Sequence, residues 1–311
     1  MTPGELAALA KRCARELGFE ACGITDLAPS AAGAALTDWL AHGFHGEMAY
    51  LARQAPTRRE PARAWPLAKS VVVVLHNYYS NQAPVQGEYC VARYAQNVDY
   101  HKVIGGRLDR LGAELVAAAG RGSCRSYVDA GPLPERELAR RAGLGWVAKN
   151  TMLIHPEIGS FTFIGCLLTD LELAPDPPFD VERCGTCTRC LEACPTQAFP
   201  SPSVLDATRC ISYLTIEAKS DVPESLRAAV GGNLFGCDIC QDVCPWNEKF
   251  AAPTREAAYR PDPEAEWPEL EAITRMDEAT FERRFGETAL ERAGLEGLKR
   301  NARVVLENER R

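Results

Sequence analysis

The stretch CGTCTRCLEACPTQAF, Cys184 to Phe199, decides how this chain is organised. It holds Cys184, Cys187, Cys190 and Cys194, with Pro195 after the last. The pattern C-x2-C-x2-C-x3-C-P is half of the ligand frame of two-cluster ferredoxins, where the fourth cysteine of each copy binds the other copy's cluster. A second copy, CDICQDVCPW, keeps only its last three cysteines, Cys237, Cys240 and Cys244. Leu234 stands where its first should be, and Cys210, in TRCISYL between the copies, is the substitute. Crossing the fourth ligands predicts one 4Fe–4S cluster on Cys184, Cys187, Cys190 and Cys244. It predicts another on Cys194, Cys210, Cys237 and Cys240, so that two sets of four form with none left over. Structural zinc also takes four thiolates at C-x2-C spacing, but a zinc site rarely continues into a third cysteine at that spacing and a Cys-Pro end.

The bulk composition fits such a module inside an ordinary globular protein. The chain has 311 residues, 46% hydrophobic and 25% charged, enough for one large domain plus a small one. No apolar run reaches the ~18 residues of a membrane span, and the N-terminus does not read as an export signal. A cytoplasmic setting is therefore expected, where thirteen cysteines point to metal ligation instead of disulfides. The net charge of −7 argues against a wholesale nucleic-acid binder but leaves room for a local basic patch. With five histidines, a multi-histidine metal centre is not expected. Cys13, Cys22, Cys90, Cys124 and Cys166 sit in apolar settings and read as small buried hydrophobes.

Upstream of the cysteines the pattern is α+β. Thr2-Pro3-Gly4-Glu5 makes a capping box with proline at the first helical position, and Gly18 ends that helix. KSVVVVLHNY (Lys69 to Tyr78) suits a strand buried on both faces. DYHKVIGGRLDRLGAELVAAAG reads as an amphipathic helix closed by Gly120, and SYVDAG as a short strand leading into a loop. PERELARRAG is a helix with Pro134 at its start and Gly143 past its end. TMLIHPEIGSFTFIGCLLTDLEL reads as two strands joined across Pro156 to Gly159. APDPPFD (Ala174 to Asp180) is the clearest boundary, since three prolines in seven residues cannot continue a helix or central strand. A second loose stretch, AAPTREAAYRPDPEAEWPE, precedes a helical tail.

Three other signals fail on context. GLGWVA matches a dinucleotide fingerprint but follows a helix, not a strand, so Gly143 reads as a helix C-cap. No P-loop occurs. DYHKVIG nearly matches a cobalt-binding D-x-H-x-x-G loop, but Ile104 occupies the glycine position, and His101 reads as a surface or capping residue.

VDAGPLPERELARRAGLGWVAKNTMLIHPEIGSFTFIGCLLTDLEL, CGTCTRCLEACPTQAF, RCISYLTIEAK and FGCDICQDVCPWN together resemble the epoxyqueuosine reductase family. GFHGEMAYLA and RYAQNVDYHKVI agree, so the likeness runs from about Gly18 to Asn247. The resemblance implies a corrinoid enzyme with two 4Fe–4S clusters that reduces epoxyqueuosine to queuosine at the wobble position of tRNA. It implies a catalytic corrinoid-binding domain with a mixed α/β sheet over residues 1–175 and a ferredoxin-like two-cluster domain over 176–250. A short helical segment over 251–311 would follow, ending at AGLEGLKRNARVVLENERR, where longer relatives begin helical repeats that help grip tRNA. By position in the D-x-G-P segment, Asp129 matches the proton donor. Tyr94, Lys149, Asn150, Ser160, Ser212 and Asp238 are implied at cobalamin. Lys219 with Arg136, Arg140 and Arg141 are implied at tRNA phosphates. A low-potential electron donor, a monomer and no membrane association are expected. The rivals are another corrinoid reductase, such as one that removes halogens, and a two-cluster electron carrier without an enzymatic activity.

Overall fold

The valine run at Lys69 to Tyr78 becomes the centre of the fold. The computed structural model describes residues 1–81, 89–260 and 267–310. Its strands are β1 (Ala21–Thr25), β2 (Ser70–Asn77), β3 (Cys90–Val91), β4 (Cys124–Val128), β5 (Trp146–Val147), β6 (Leu153–Ile154), β7 (Thr162–Thr169) and β8 (Asn233–Phe235). The main sheet has the order β1-β2-β7-β4, and each neighbouring pair is antiparallel.

All eight residues of β2 are buried, because helices cover both faces. Val72 and Val74 point to one face, with Ile104, Leu108 and Leu111. Val71, Val73 and Leu75 point to the other, with Leu133, Leu138 and Trp65. The first face is covered by α1 (Pro3–Glu16) and by the long helix Tyr100–Ala119. The capping box at Thr2 and Glu5 forms as expected, and Gly120 closes the long helix at a φ of 68°. The helices between them in the chain are α2 (Gly33–Ala41) and α3 (Ala49–Arg59), so the long one is α4. The second face is covered by α5 (Glu135–Arg141), ended by Gly143 at a φ of 78°. Only a residue without Cβ enters that left-handed conformation without penalty.

Two strands are joined across Pro156 to Gly159 as expected, and the turn closes on mutual backbone bonds between His155 and Gly159. Beyond the turn they part: β7 pairs with β2 along its whole length and with β4 over five residues, while β6 pairs with β5 in a separate ribbon.

The cysteine-rich part contributes α6 (Arg189–Glu192), α7 (Ile211–Ile216), α8 (Glu224–Val230), α9 (Ile239–Asp242) and α10 (Pro245–Phe250). The expected tail does form helices, α11 (Leu270–Arg275), α12 (Glu278–Phe285) and α13 (Gly294–Glu309). It does not hang free. Leu298, Ala302 and Val305 of α13 are fully buried and share a core with Val91, Leu234 and Phe235. Arg300 fastens it further, donating to the carbonyls of Leu214 at 2.8 Å and Ser220 at 2.8 Å. Residues 261–266 of the second loose stretch lie outside the described residues. No helix among the described residues is long and apolar enough to cross a membrane.

Candidate active site

Four cysteines from both ends of the module face one space. A cavity of about 210 Å³ is lined by Cys184, Cys187, Cys190 and Cys244, with Lys149 and Trp246 at its wall. The loop around it is tied locally: Cys187 N–H donates to the Cys184 carbonyl at 3.0 Å, and Lys149 Nζ donates to the carbonyls of Gly185 at 2.5 Å and Cys187 at 3.0 Å. The Trp146 indole N–H reaches Cys184 Sγ at 3.5 Å.

The other four cysteines influence one another's ionisation. Burial pushes the Cys237 thiol up to about 12, with Cys210 and Cys194 adding to the rise. Burial likewise raises Cys210, next to Cys194. It also raises Cys240, beside Cys237 and Cys210, with a smaller contribution from Cys190 of the first group. The two groups therefore adjoin at Cys190 and Cys240. Leu234 is fully buried in the apolar core with Leu298, and Cys210, at the start of α7, neighbours Cys194, Cys237 and Cys240. Buried thiolates at such density need positive charge among them, which metal supplies. A single zinc would draw its sulfurs to ~2.3 Å from one centre. A cavity of about 210 Å³ between the first four suits a polynuclear cluster better.

The sheet presents a carboxylate at its end. Strand β4 stops at Val128, and Asp129 turns the chain at a φ of 52°. Tyr100 Oη donates to Asp129 Oδ2 at 2.7 Å, and the Asp129 N–H donates to Glu135 Oε1 at 2.9 Å. Tyr100 is held flat against Phe163, centroids 4.1 Å apart. Asp129 itself is exposed at the end of β4. Burial, and then the charge of Asp129, pushes the Glu135 carboxyl up to about 8.

Tyr94 connects this carboxylate to the cysteines. Burial raises its hydroxyl first, and Asp129, Asp238 and Glu217 all add to the rise. Its ring meets Tyr100 edge-on at 6.1 Å. Asp238, next to Cys237 in the chain, accepts from Arg93 N–H at 2.8 Å and Arg93 Nη1 at 3.1 Å. Burial still raises its carboxyl, against the pull of Arg93. Ser212 lies beside Cys210 and hydrogen-bonds its thiol.

Two of the expected cofactor contacts are nearly buried, Asn150 at 3% and Ser160 at 1% exposure, although Asn150 also lines the cysteine cavity. Asn150 Nδ2 donates to the Cys240 carbonyl at 3.1 Å. The Ser160 hydroxyl donates to Gln241 Oε1 at 2.9 Å and accepts from Asn247 Nδ2 at 2.9 Å. Both tie the sheet side to the second cysteine copy. Lys149 holds the first cysteine loop, as described. His101 pairs with Asp99 at 2.7 Å, and Asp99 is the helix cap, accepting from the His101 N–H.

The basic residues divide in two. Arg136 is exposed on α5 beside Glu135 and Arg58, and Lys219 is exposed beside Arg292. Arg140 pairs with Asp180 at 3.2 Å. Arg141 is tied to the Ala28 carbonyl at 2.9 Å and to Asp26, which commits it to the loop after β1 and away from phosphate. Sequence reading missed Arg58 and Tyr100, whose contacts join distant parts of the chain, and Glu135, whose bond to the Asp129 N–H depends on the turn between them. Among the other cysteines, Cys13 and Cys166 are buried, whereas Cys22, Cys90 and Cys124 are only half-buried.

A sheet that ends in an exposed carboxylate, joined to a double set of cysteines, is the layout of an iron–sulfur reductase. Residues 183–247 match the model described as "4Fe-4S double cluster binding domain". Residues 58–130 match "Epoxyqueuosine reductase QueG, DUF1730". The epoxyqueuosine reductase of Pseudomonas aeruginosa is 41% identical over 98% of this chain and 86% of its own. A crystal structure of epoxyqueuosine reductase with an epoxyqueuosine-modified tRNA-Tyr stem loop aligns at a TM-score of 0.87 with 31% identity, over 98% of this chain and 81% of that one. The Bacillus subtilis epoxyqueuosine reductase, with its catalytic aspartate loop swung out of the active site, aligns at 0.84 with 30% identity, over 98% and 82%. The chain belongs to the epoxyqueuosine reductase family.

Proposed function

We propose that this protein reduces epoxyqueuosine to queuosine in tRNA, with two 4Fe–4S clusters and cobalamin as cofactors. The observation that carries the reading is the shared position of Tyr94, which neighbours both Asp129 at the sheet end and Asp238 beside the second cysteine group. Opening the epoxide to an alkene and releasing its oxygen as water consumes two electrons and two protons. Each cluster passes one electron at a time, so a pair can feed that reduction.

We assign one cluster to Cys184, Cys187, Cys190 and Cys244 and the other to Cys194, Cys210, Cys237 and Cys240. The second adjoins Asp238, on the side of Tyr94 and Asp129, while the first borders Trp246 and the exposed Arg183. Electrons from a low-potential donor would therefore enter at the first and leave from the second. Cobalamin, when bound, supplies a strongly reducing cobalt centre. Tyr94, Ser212 and Asp238 are the residues that would hold it, because they neighbour the second cysteine group. Asp129 would give a proton to the departing oxygen, with Tyr100 fixing its carboxylate. Arg136 and Lys219 would meet phosphates of the anticodon arm, contacts that position the RNA without reading its sequence.

In this reading residues 1–175 form the catalytic part, 176–250 the cluster module and 251–311 a helical segment packed on it. A monomer in the cytoplasm is the corresponding expectation. Anaerobic protein mixed with cobalamin should retain the corrinoid through gel filtration, and its absorption should change. Turnover should require the corrinoid. Conversion at full rate by corrinoid-free protein would overturn this part of the mechanism, and so would failure to retain any corrinoid.

A further inference from the structure

The loop from Asp129 to Leu133 is anchored unevenly. Leu133 is fully buried beneath the sheet, but Asp129 and Ala130 at the other end are exposed. What holds that end is polar. Arg58, projecting from α3, donates from Nη1 to the Leu133 carbonyl at 2.8 Å and from Nη2 to the Gly131 carbonyl at 3.2 Å. Gln54, one turn earlier on α3, accepts from the same Nη2 at 3.1 Å and sets the fork's orientation. From the opposite side, Glu135 Oε1 accepts the Asp129 N–H at 2.9 Å.

These bonds work against a conformational cost. A non-glycine residue at a φ of 52° sits in a region that costs of order 1 kcal/mol or more. Without the bonds from Arg58 and Glu135, the segment would gain freedom and Asp129 would relax toward ordinary φ. Arg58 also bears a cost of its own. Its Nε is buried with no partner among the described residues, and burial disfavours its charge. A guanidinium held this way, with its fork on two carbonyls of one loop, is built to grip that loop.

We propose that Arg58 and Glu135 are positioning residues that keep the Asp129 loop in its working conformation. The proposal rests on the reading of Asp129 as the proton donor. It adds two residues, one from α3 and one from α5, that need not touch substrate or cofactor.

The test uses the full chain with clusters loaded and a corrinoid bound. Hydrogen exchange is followed in the peptide spanning 128–134, alongside kcat and KM for epoxyqueuosine-containing tRNA. Arg58→Met should speed exchange in that peptide at least tenfold. It should lower kcat about 10–100-fold, the range for a displaced catalytic group, with KM within twofold. Arg58→Lys can reach one carbonyl of the two and should fall between wild type and Arg58→Met. Glu135→Gln keeps an acceptor oxygen and should be milder than Glu135→Ala. Should Arg58→Met fail to fold, the lysine and glutamine variants still give the ordering.

Unchanged exchange with unchanged kcat would overturn the proposal. A raised KM at constant kcat would also overturn it, since that result makes Arg58 a substrate contact. If Asp129→Asn proved fully active while Arg58→Met still freed the loop, the donor reading would fall and the grip on the loop would stand.

Discussion

Cys244→Ala should remove one iron–sulfur cluster and leave the other intact. Iron should fall from about eight to about four atoms per chain, and turnover should drop below ~10⁻³ of wild type because the electron path is cut. The informative part is which cluster disappears. Trp146 and Trp246 flank the cavity of the first four cysteines, their rings 4.8 Å apart, so a cluster there quenches their fluorescence. Crossed ligation predicts that Cys244→Ala restores that emission. Cys194→Ala should leave it quenched, although Cys194 follows directly on the first three cysteines in sequence. Uncrossed ligation predicts the reverse for both variants. The placement of Cys244 in the cavity of Cys184, Cys187 and Cys190 favours the crossed outcome, and emission released by Cys194→Ala alone would refute it.

Asp129→Asn should lower turnover by ~10²–10⁴, equivalent to about 3–5 kcal/mol of barrier. Asparagine keeps the size of the side chain and an oxygen to accept from Tyr100, which sits 2.7 Å from Oδ2. The main-chain N–H to Glu135 is unaffected by the substitution. The loop should therefore hold its shape, and only the transferable proton is lost. Both clusters should still reduce, and affinity for tRNA should remain within threefold. Turnover within threefold of wild type would take Asp129 out of the mechanism. A Tyr100→Phe variant gives a graded companion. It frees one carboxylate oxygen without removing the acid, and its loss should be smaller than that of Asp129→Asn.

Much of the architecture was readable because local signals and long-range packing agree. The valine run at β2, the capping box at Thr2 and the glycines after α4 and α5 each state their role within a few residues. Cysteine spacing was more informative still, since ligand geometry imposes a frame that no local propensity can mimic. Cys210 could be read as the substitute for the position of Leu234 because only one cysteine lies between the two copies. Where sequence reading fell short, the deciding contact came from far along the chain. The turn around Pro156 closes at His155 and Gly159, but nothing beside it signals that β7 pairs with β2 along its whole length and β6 with β5. Ser160 reads as a polar residue in a strand-like stretch, and nothing nearby signals that Gln241 and Asn247 enclose it.

The site was legible to the same degree. Asp129 stands out within D-x-G-P, but its supports do not. Tyr100 is 29 positions away and Arg58 more than 70, and each reads locally as an ordinary helix residue. Glu135 reads locally as a first-turn acid of α5, placed to favour the helix dipole. Its second role exists only because the chain turns back at Asp129. The arginines of α5 show the converse. Four positions apart, Arg136 and Arg140 read as one charged face, whereas Asp180 takes Arg140 and leaves Arg136 exposed.

The most direct test of the whole account is nucleoside analysis after one anaerobic incubation. The cluster-loaded chain is mixed with a low-potential reductant, cobalamin and tRNA carrying epoxyqueuosine, and the tRNA is then digested and its nucleosides separated. The account predicts queuosine in place of epoxyqueuosine, with none formed when the reductant is omitted. Epoxyqueuosine recovered intact from a reaction whose clusters are visibly reduced and whose corrinoid is bound would contradict it.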